Sequence, residues 1–232
     1  MRVWDINPGY LNRQSLLGEH RELHGIVAII SHNKKGYSRH PETLRWVGYG
    51  WALKQRHHLL VAEMNLRGYV DRSPVLLRAK PQCWPDIYID EPARQLTILK
   101  EKYKTLEQGR IPLPKNAQQL WAQHKYSVMA RDIQAYKEFG KWVTSKQGVK
   151  DMPQIALELS ALLCTPPAQN LIENTLLHMW GYVSKYMPSI TKNPDSMSMT
   201  ALLNRIQQLA LSNNVSYLIE STSLSELNAW NI

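Results

Sequence analysis

Apolar side chains recur at every third or fourth position along most of this chain, and no stretch of useful length alternates them with polar ones. A period of 3.6 builds helices with one buried face, whereas half-buried strands need a period of two, so the chain is predicted to be all-α. The first helix spans 11–30, with Leu16, Leu23, Val27 and Ile30 on its core-facing stripe. A second spans 51–67, with Leu53, Leu60, Val61 and Met64 turned inward and Lys54, Arg56, His57 and His58 turned outward. Gly68 stands where a left-handed residue would stop it. Further helices are expected over 92–106, 120–129, 133–144, 153–163, 167–186 and 199–211, while "RSPVLLRAKPQCWPD" reads as irregular.

At 232 residues the chain is long enough for two cores, and a break in the periodicity says where to divide it. "QGRIPLPKN" combines a glycine with two prolines, which predicts a linker over 107–117 between helical domains at 1–106 and 118–232. On that division a fragment ending near Leu106 should fold alone. The formal charge of +9 is uneven, with 17 Lys and Arg against 10 Asp and Glu before residue 106 and 11 against 9 after it. Any binding of a polyanion is therefore assigned to the first half, although many basic proteins bind none and the charge alone does not decide it. Cys83 and Cys164 form no CxxC motif, and no apolar run is long enough for a membrane span or a signal-peptide core. A reducing, cytoplasmic and nucleoid-associated location without a membrane partner is the expectation.

The polar side of the first helix carries the candidate chemistry. Gln14, Gly18, Arg21 and Gly25 fall on one line by helical spacing, with Ser15, Glu19 and Glu22 on the line beside it. Each glycine costs a helix about 1 kcal/mol relative to alanine, which a close approach by backbone or ligand would offset, the alternative being a helix that frays near Gly25. Glu22 has Arg21 beside it, and Arg2 and the α-amine of Met1 complete a charge cluster suited to a polyanion. Removal of an initiator methionine requires a small second residue; Arg2 is large, so the amine is expected to stay on Met1. As a class α-amines have a pKa of about 7.7–8.0, far below lysine, and supply a neutral nucleophile at physiological pH. "HNKKGYSRH" adds Lys34, Lys35, Tyr37 and Arg39, a mixture that contacts phosphates and stacks on an exposed base.

"MRVW" followed by "QSLLGEHREL" resembles the start of the phage endonuclease V type of pyrimidine-dimer DNA glycosylase, whose chain opens with a nucleophilic amine and Arg and continues to a catalytic Glu within "EYREL". Arg2, Gln14, Glu19, Arg21, Glu22 and Leu23 carry the match. "LKQRHHLLVAEMNLRGY" is similar to the family's charged helix ending in Arg-Gly-aromatic, and "EPARQLTILKEKYKTL" extends the likeness to about residue 105. The resemblance implies an all-α DNA repair enzyme, a glycosylase with abasic-site lyase activity on double-stranded damaged DNA bearing pyrimidine dimers or related lesions. It implies that Met1 and Glu22 are catalytic: the Met1 amine attacks C1′, displaces the base and forms a Schiff base, and elimination then cuts the strand. Glu22 would steady the cationic sugar and move protons. Arg2, Gln14, Arg21 and Arg94 would join Lys34, Lys35 and Arg39 in binding the substrate. No metal or cofactor is implied.

The likeness has departures. Ser15 replaces a histidine, Gly25 replaces an arginine, Ile98 stands where a lysine is expected with Lys100 displaced from it, and "KEKYKTL" replaces an aromatic tail that lies against DNA. The chemistry therefore transfers more securely than the lesion preference.

"HKYSVMARDIQAYKEFG" and "NTLLHMWGYVSKYM" resemble the YbgA-like domain of unknown function over about 118–211, through His124, Lys125, Tyr136, Gly140, Asn174, His178, Gly181 and Tyr182. His124 and His178 lack a third ligand and read as core or cap residues. Two other readings compete: a non-catalytic nucleic-acid-binding protein, and a module whose second half recruits a repair protein.

Overall fold

In the computed structural model of the chain, residues 1–77, 83–148, 151–187, 194 and 197–230 are described, and every regular element among them is helical. The first half contains α1 (Arg13–His32), α2 (Pro41–Trp46), α3 (Gly50–Leu66) and α4 (Pro92–Lys102). The second contains α5 (Ala117–Met129), α6 (Ile133–Thr144), α7 (Met152–Leu163), α8 (Gln169–Val183), α9 (Met199–Ser212), α10 (Ser216–Ile219) and α11 (Ser223–Glu226). None of the described helices is long and apolar enough to cross a membrane. Part of the stretch expected to be irregular, residues 78–82, lies outside the described residues.

Local chemistry explains the helix ends. The Asn12 side chain accepts from the Ser15 N–H at 2.9 Å to start α1, and Asn33, at φ +49°, closes it in the left-handed region. Gly68 follows α3 at φ +80°, the stop that its position predicts. α2 was not anticipated: Pro41 bars a helix before it but suits the first turn of one after it, and His40 Nδ1 accepts from the Glu42 N–H at 3.1 Å. α4 stops four residues short of its expected end. There Tyr103 turns into the core, and its hydroxyl accepts from the Asn12 N–H at 3.0 Å.

Two apolar clusters organise the molecule. The larger is formed by Leu16, Leu23 and Ile26 of α1, Leu53 and Leu60 of α3, and Leu96 and Leu99 of α4, and it continues through Ile111, Leu120, Phe139, Ile155 and Leu159. The smaller packs Tyr126 and Met129 of α5 against α8, α9 and the residues Leu218, Leu224 and Leu227. The larger core thus crosses the stretch expected to be a linker.

That stretch is a packed strap. Ile111 is fully buried and its N–H donates to the Gly9 carbonyl at 2.9 Å. A Cβ at Gly109 would come within 2.5 Å of the Tyr10 carbonyl carbon, so only glycine lets the two backbones approach. Arg110 donates to Glu63 of α3 at 2.6 and 3.0 Å, to the Ser221 carbonyl at 3.1 Å and to Ser225 Oγ at 3.2 Å. Gly and Pro report a local break in helix, and say nothing of what the broken segment packs on. A fragment ending at Leu106 would leave out Ile111, Leu120 and Ile155, which share this core.

Candidate active site

Residues 1–6 form no regular element and lie across α1, α3 and α4, each of which holds them by hydrogen bonds. The Trp4 N–H donates to Glu19 Oε1 of α1 at 3.1 Å. Arg56 of α3 grips the same carboxylate with Nε at 2.7 Å and Nη2 at 2.9 Å, and its Nη1 donates to the Ile6 carbonyl at 2.8 Å. On α4, Gln95 Oε1 accepts from the Asp5 N–H at 2.8 Å while its Nε2 donates back to Asp5 Oδ2 at 2.6 Å. Arg45 of α2 pairs with Asp5 from the other side. With Val3 and Trp4 in the core, the beginning of the chain has one path.

These groups position rather than react. Burial pushes the Glu19 carboxyl up to about 7, against the pull of the Arg56 guanidinium and the Trp4 N–H. Burial likewise raises Asp5, opposed by Arg45 and Gln95.

The path ends over the middle of α1. The Arg2 backbone N–H donates to Glu22 Oε2, so the Met1 α-amine is one peptide unit from that carboxylate. The Arg2 guanidinium turns aside, donates to Asp90 Oδ2 at 2.5 Å and stacks 4.8 Å over the Trp4 ring. Met1, Arg2 and Glu22 are all partly exposed, and among the described residues the Met1 amine has no hydrogen-bond or ion-pair partner. Met1, Arg2 and Glu22 therefore meet at one surface, while the neighbouring Arg21 is exposed on the adjacent line of α1, its Nε donating to the Leu17 carbonyl at 3.4 Å.

Gln14 and Arg21 are exposed on the line that also carries Gly18 and Gly25. A Cβ at either glycine would meet nothing within 4 Å, so among the described residues no backbone packs against these two positions. Arg94 is exposed in the first turn of α4. Lys34, Lys35 and Arg39 are exposed in the loop beyond α1, which begins about 15 Å from Glu22 at 1.5 Å of rise per residue. That loop lies at the margin of the cluster and adds Tyr37, 72% exposed and held at φ +56°.

Four polar assignments from periodicity are corrected. Glu19 and Ser15 are buried beneath other segments instead of lining the open face, and Ser15 Oγ accepts from Lys102 Nζ at 3.0 Å. Arg56 and His57 are buried too, because α3 is covered on almost every side. Asp90 and Gln95 carry no signal in the sequence beyond their places beside the Glu-Pro helix start.

A second cluster occupies the other flank of α1. His20 and His24 of α1, His57 of α3 and Asp71 each offer a ligand atom within 4.8 Å of the others, an arrangement able to hold a metal ion. Burial lowers His57 to about 4, the neighbouring His20 adding to the effect, and burial also lowers His20, with His24 next in weight. The four-residue spacing of His20 and His24 is the sequence signal for this cluster. His124 is a core residue, its Nδ1 2.8 Å from the Leu120 carbonyl, whereas His178 is exposed on α8.

Residues 1–77 match the family model described as pyrimidine dimer DNA glycosylase. Residues 125–226 match a family described as a protein of unknown function (DUF1722). Comparison with curated proteins and with solved structures gave no match. The first match contains Met1, Arg2, Gln14, Arg21, Glu22 and the basic loop, and leaves Arg94 outside.

Proposed function

We propose that this protein is a DNA repair glycosylase with abasic-site lyase activity, working through a Schiff base between the Met1 α-amine and the sugar of a pyrimidine-dimer or related lesion in duplex DNA. The likeness of residues 1–77 to pyrimidine dimer DNA glycosylases supports the reaction class. The observation that carries the reading is the hydrogen bond from the Arg2 N–H to Glu22, which brings the start of the chain to a carboxylate on an open, basic face.

The chemistry needs only these groups. The neutral amine attacks C1′ as the glycosidic C–N bond breaks, the base departing with the bonding pair and taking a proton from the new ammonium; the C1′–O4′ bond then breaks, O4′ takes a proton, and the opened sugar is left as a protonated imine. Glu22 stabilises the positive charge that develops on the sugar. It then takes the C2′ proton while the 3′ C–O bond breaks, which cuts the strand and leaves the phosphate on the departing end. Arg21 and the Arg2 guanidinium, oriented by Asp90 and Trp4, hold flanking phosphates. Gly18 and Gly25 leave room for the DNA backbone beside Arg21. The second half supports the site by completing the core beneath α1.

Borohydride tests the reading. The untagged chain is incubated with duplexes bearing an abasic site or a pyrimidine dimer, and the reductant is added. A covalent adduct with both is expected. Tight binding of these duplexes without any adduct would favour the non-catalytic DNA-binding reading instead.

A further inference from the structure

Two residues to either side of Glu22, and therefore about 200° around α1 from it, His20 and His24 turn toward α3. There they meet His57 of α3 and Asp71 of the segment that follows Gly68. His20 Nε2 lies 3.3 Å from His24 Nε2 and 3.3 Å from Asp71 Oδ1, and His57 Nε2 lies 3.6 Å from Asp71 Oδ2. Tetrahedral zinc with metal–ligand distances of about 2.0–2.1 Å has ligand–ligand edges of about 3.3–3.4 Å. Two of these separations have that length, the third, to the other carboxylate oxygen, is close to it, and one ligand atom from each of the four residues lies within 4.8 Å of all the others.

His57 supplies an independent observation. It is only 2% exposed, and neither of its ring nitrogens has a hydrogen-bond partner. Native interiors rarely leave such an atom unsatisfied, and an ion is one of the few things that could satisfy Nε2 here. The three rings are crowded, with centroids 4.6–5.1 Å apart, His24 edge to face with both others and His20 tilted 32° from His57, a packing that suits neutral imidazoles sharing a ligand better than imidazoliums repelling one another.

We propose that His20, His24, His57 and Asp71 bind one Zn2+ ion as a structural site. Three imidazoles and one carboxylate select a zinc-class transition metal over the oxygen-seeking Mg2+ and Ca2+. Four protein ligands leave no open position, so the ion does not bind substrate. It staples the segment after α3 onto the α1–α3 pair, and so steadies from behind the helix that carries Glu22. The site stands apart from the proposed glycosylase chemistry and would exist without it.

The full chain, stripped with a chelator, is titrated with Co2+ and then Zn2+, with circular dichroism confirming the fold of every variant. One Co2+ per chain is expected, with the intense visible absorption of tetrahedral cobalt, displaced by Zn2+, and Zn2+ should raise the Tm. His24→Ala and Asp71→Asn, at partly exposed positions, should each weaken Co2+ binding by more than about 10-fold, the least that loss of even an outer partner costs. They should also lose the rise in Tm, whereas His58→Ala should keep both. The proposal is overturned if the wild-type chain takes up no stoichiometric Co2+, if the cobalt spectrum is weak and octahedral, or if His24→Ala and Asp71→Asn bind Co2+ as the wild type does.

Discussion

The Arg2 backbone N–H donates to Glu22 Oε2 across twenty residues of chain, while the Arg2 side chain reaches Asp90 eighty-eight residues away. One residue is thus clamped at both ends, and its clamping locates the residue before it. Trp4 on Glu19 and Asp5 on Gln95 extend the same register. The proposed nucleophile is positioned by its neighbours' contacts and keeps its own nitrogen free of a partner among the described residues.

One glycine added before Met1, or acetylation of Met1, should abolish the borohydride adduct on abasic DNA and leave circular dichroism unchanged, because the Arg2, Trp4 and Asp5 contacts do not involve the amine. Gel separation after reduction measures it. An undiminished adduct would move the nucleophile to a lysine.

Glu22→Gln keeps an oxygen that can accept from the Arg2 N–H but removes the charge. Single-turnover excision should slow by about 10²–10⁴-fold, the usual worth of a positioned acid–base group, while DNA binding is largely retained. Equal excision rates for variant and wild type would take Glu22 out of the chemistry.

Arg21→Ala removes an exposed cation from the open face. The slope of log affinity against log salt concentration should become shallower by about 0.9, the signature of one lost phosphate contact in duplex DNA. Fluorescence anisotropy across a salt series reads it, and an unchanged slope would mean that Arg21 touches no phosphate.

Gly18→Ala and Gly25→Ala should each stabilise the chain by up to about 1 kcal/mol, since a Cβ meets open space at both places and alanine is the better helix former. The same methyls should weaken DNA binding if the duplex backbone approaches there. Denaturant melts and anisotropy on the same two proteins separate the effects.

Glu63 links stability to acidity. Burial alone would raise its carboxyl, but Arg110 first and then Arg67 hold it below the ordinary carboxylate range. The unfolded chain takes up this proton near the ordinary value of about 4.3, and the folded chain only at lower pH, so between the two the unfolded state binds more protons. This contribution is therefore present above the unfolded value and lost as pH falls through the folded one. Glu63→Gln should flatten that part of the acid limb in denaturant titrations. Removing one partner of a buried ion pair, it should also cost about 3–5 kcal/mol at neutral pH.

Helix positions were readable because a helix is a local object. The expected 133–144 and 199–211 reappear as α6 and, one residue longer, α9, and the side chain of Asp132 caps α6 through the Gln134 and Ala135 N–H groups. The Met1, Arg2 and Glu22 grouping was readable from a resemblance tied to the start of the chain. Its geometry was not, since nothing near residue 2 in sequence names Asp90.

What the sequence by itself determined, then, is that the chain is helical, where most of the longer helices lie, and which loop is basic. Those properties depend on neighbours three or four positions away. The tertiary structure alone decided that 107–117 is a strap, that Arg56 meets Glu19 across 37 residues, that Arg110 meets Glu63 across 47, and that His57 joins His20, His24 and Asp71. A charged or imidazole side chain can be buried only where a partner waits for it, and a helical period records a residue's face but not the distant segment that comes to cover it.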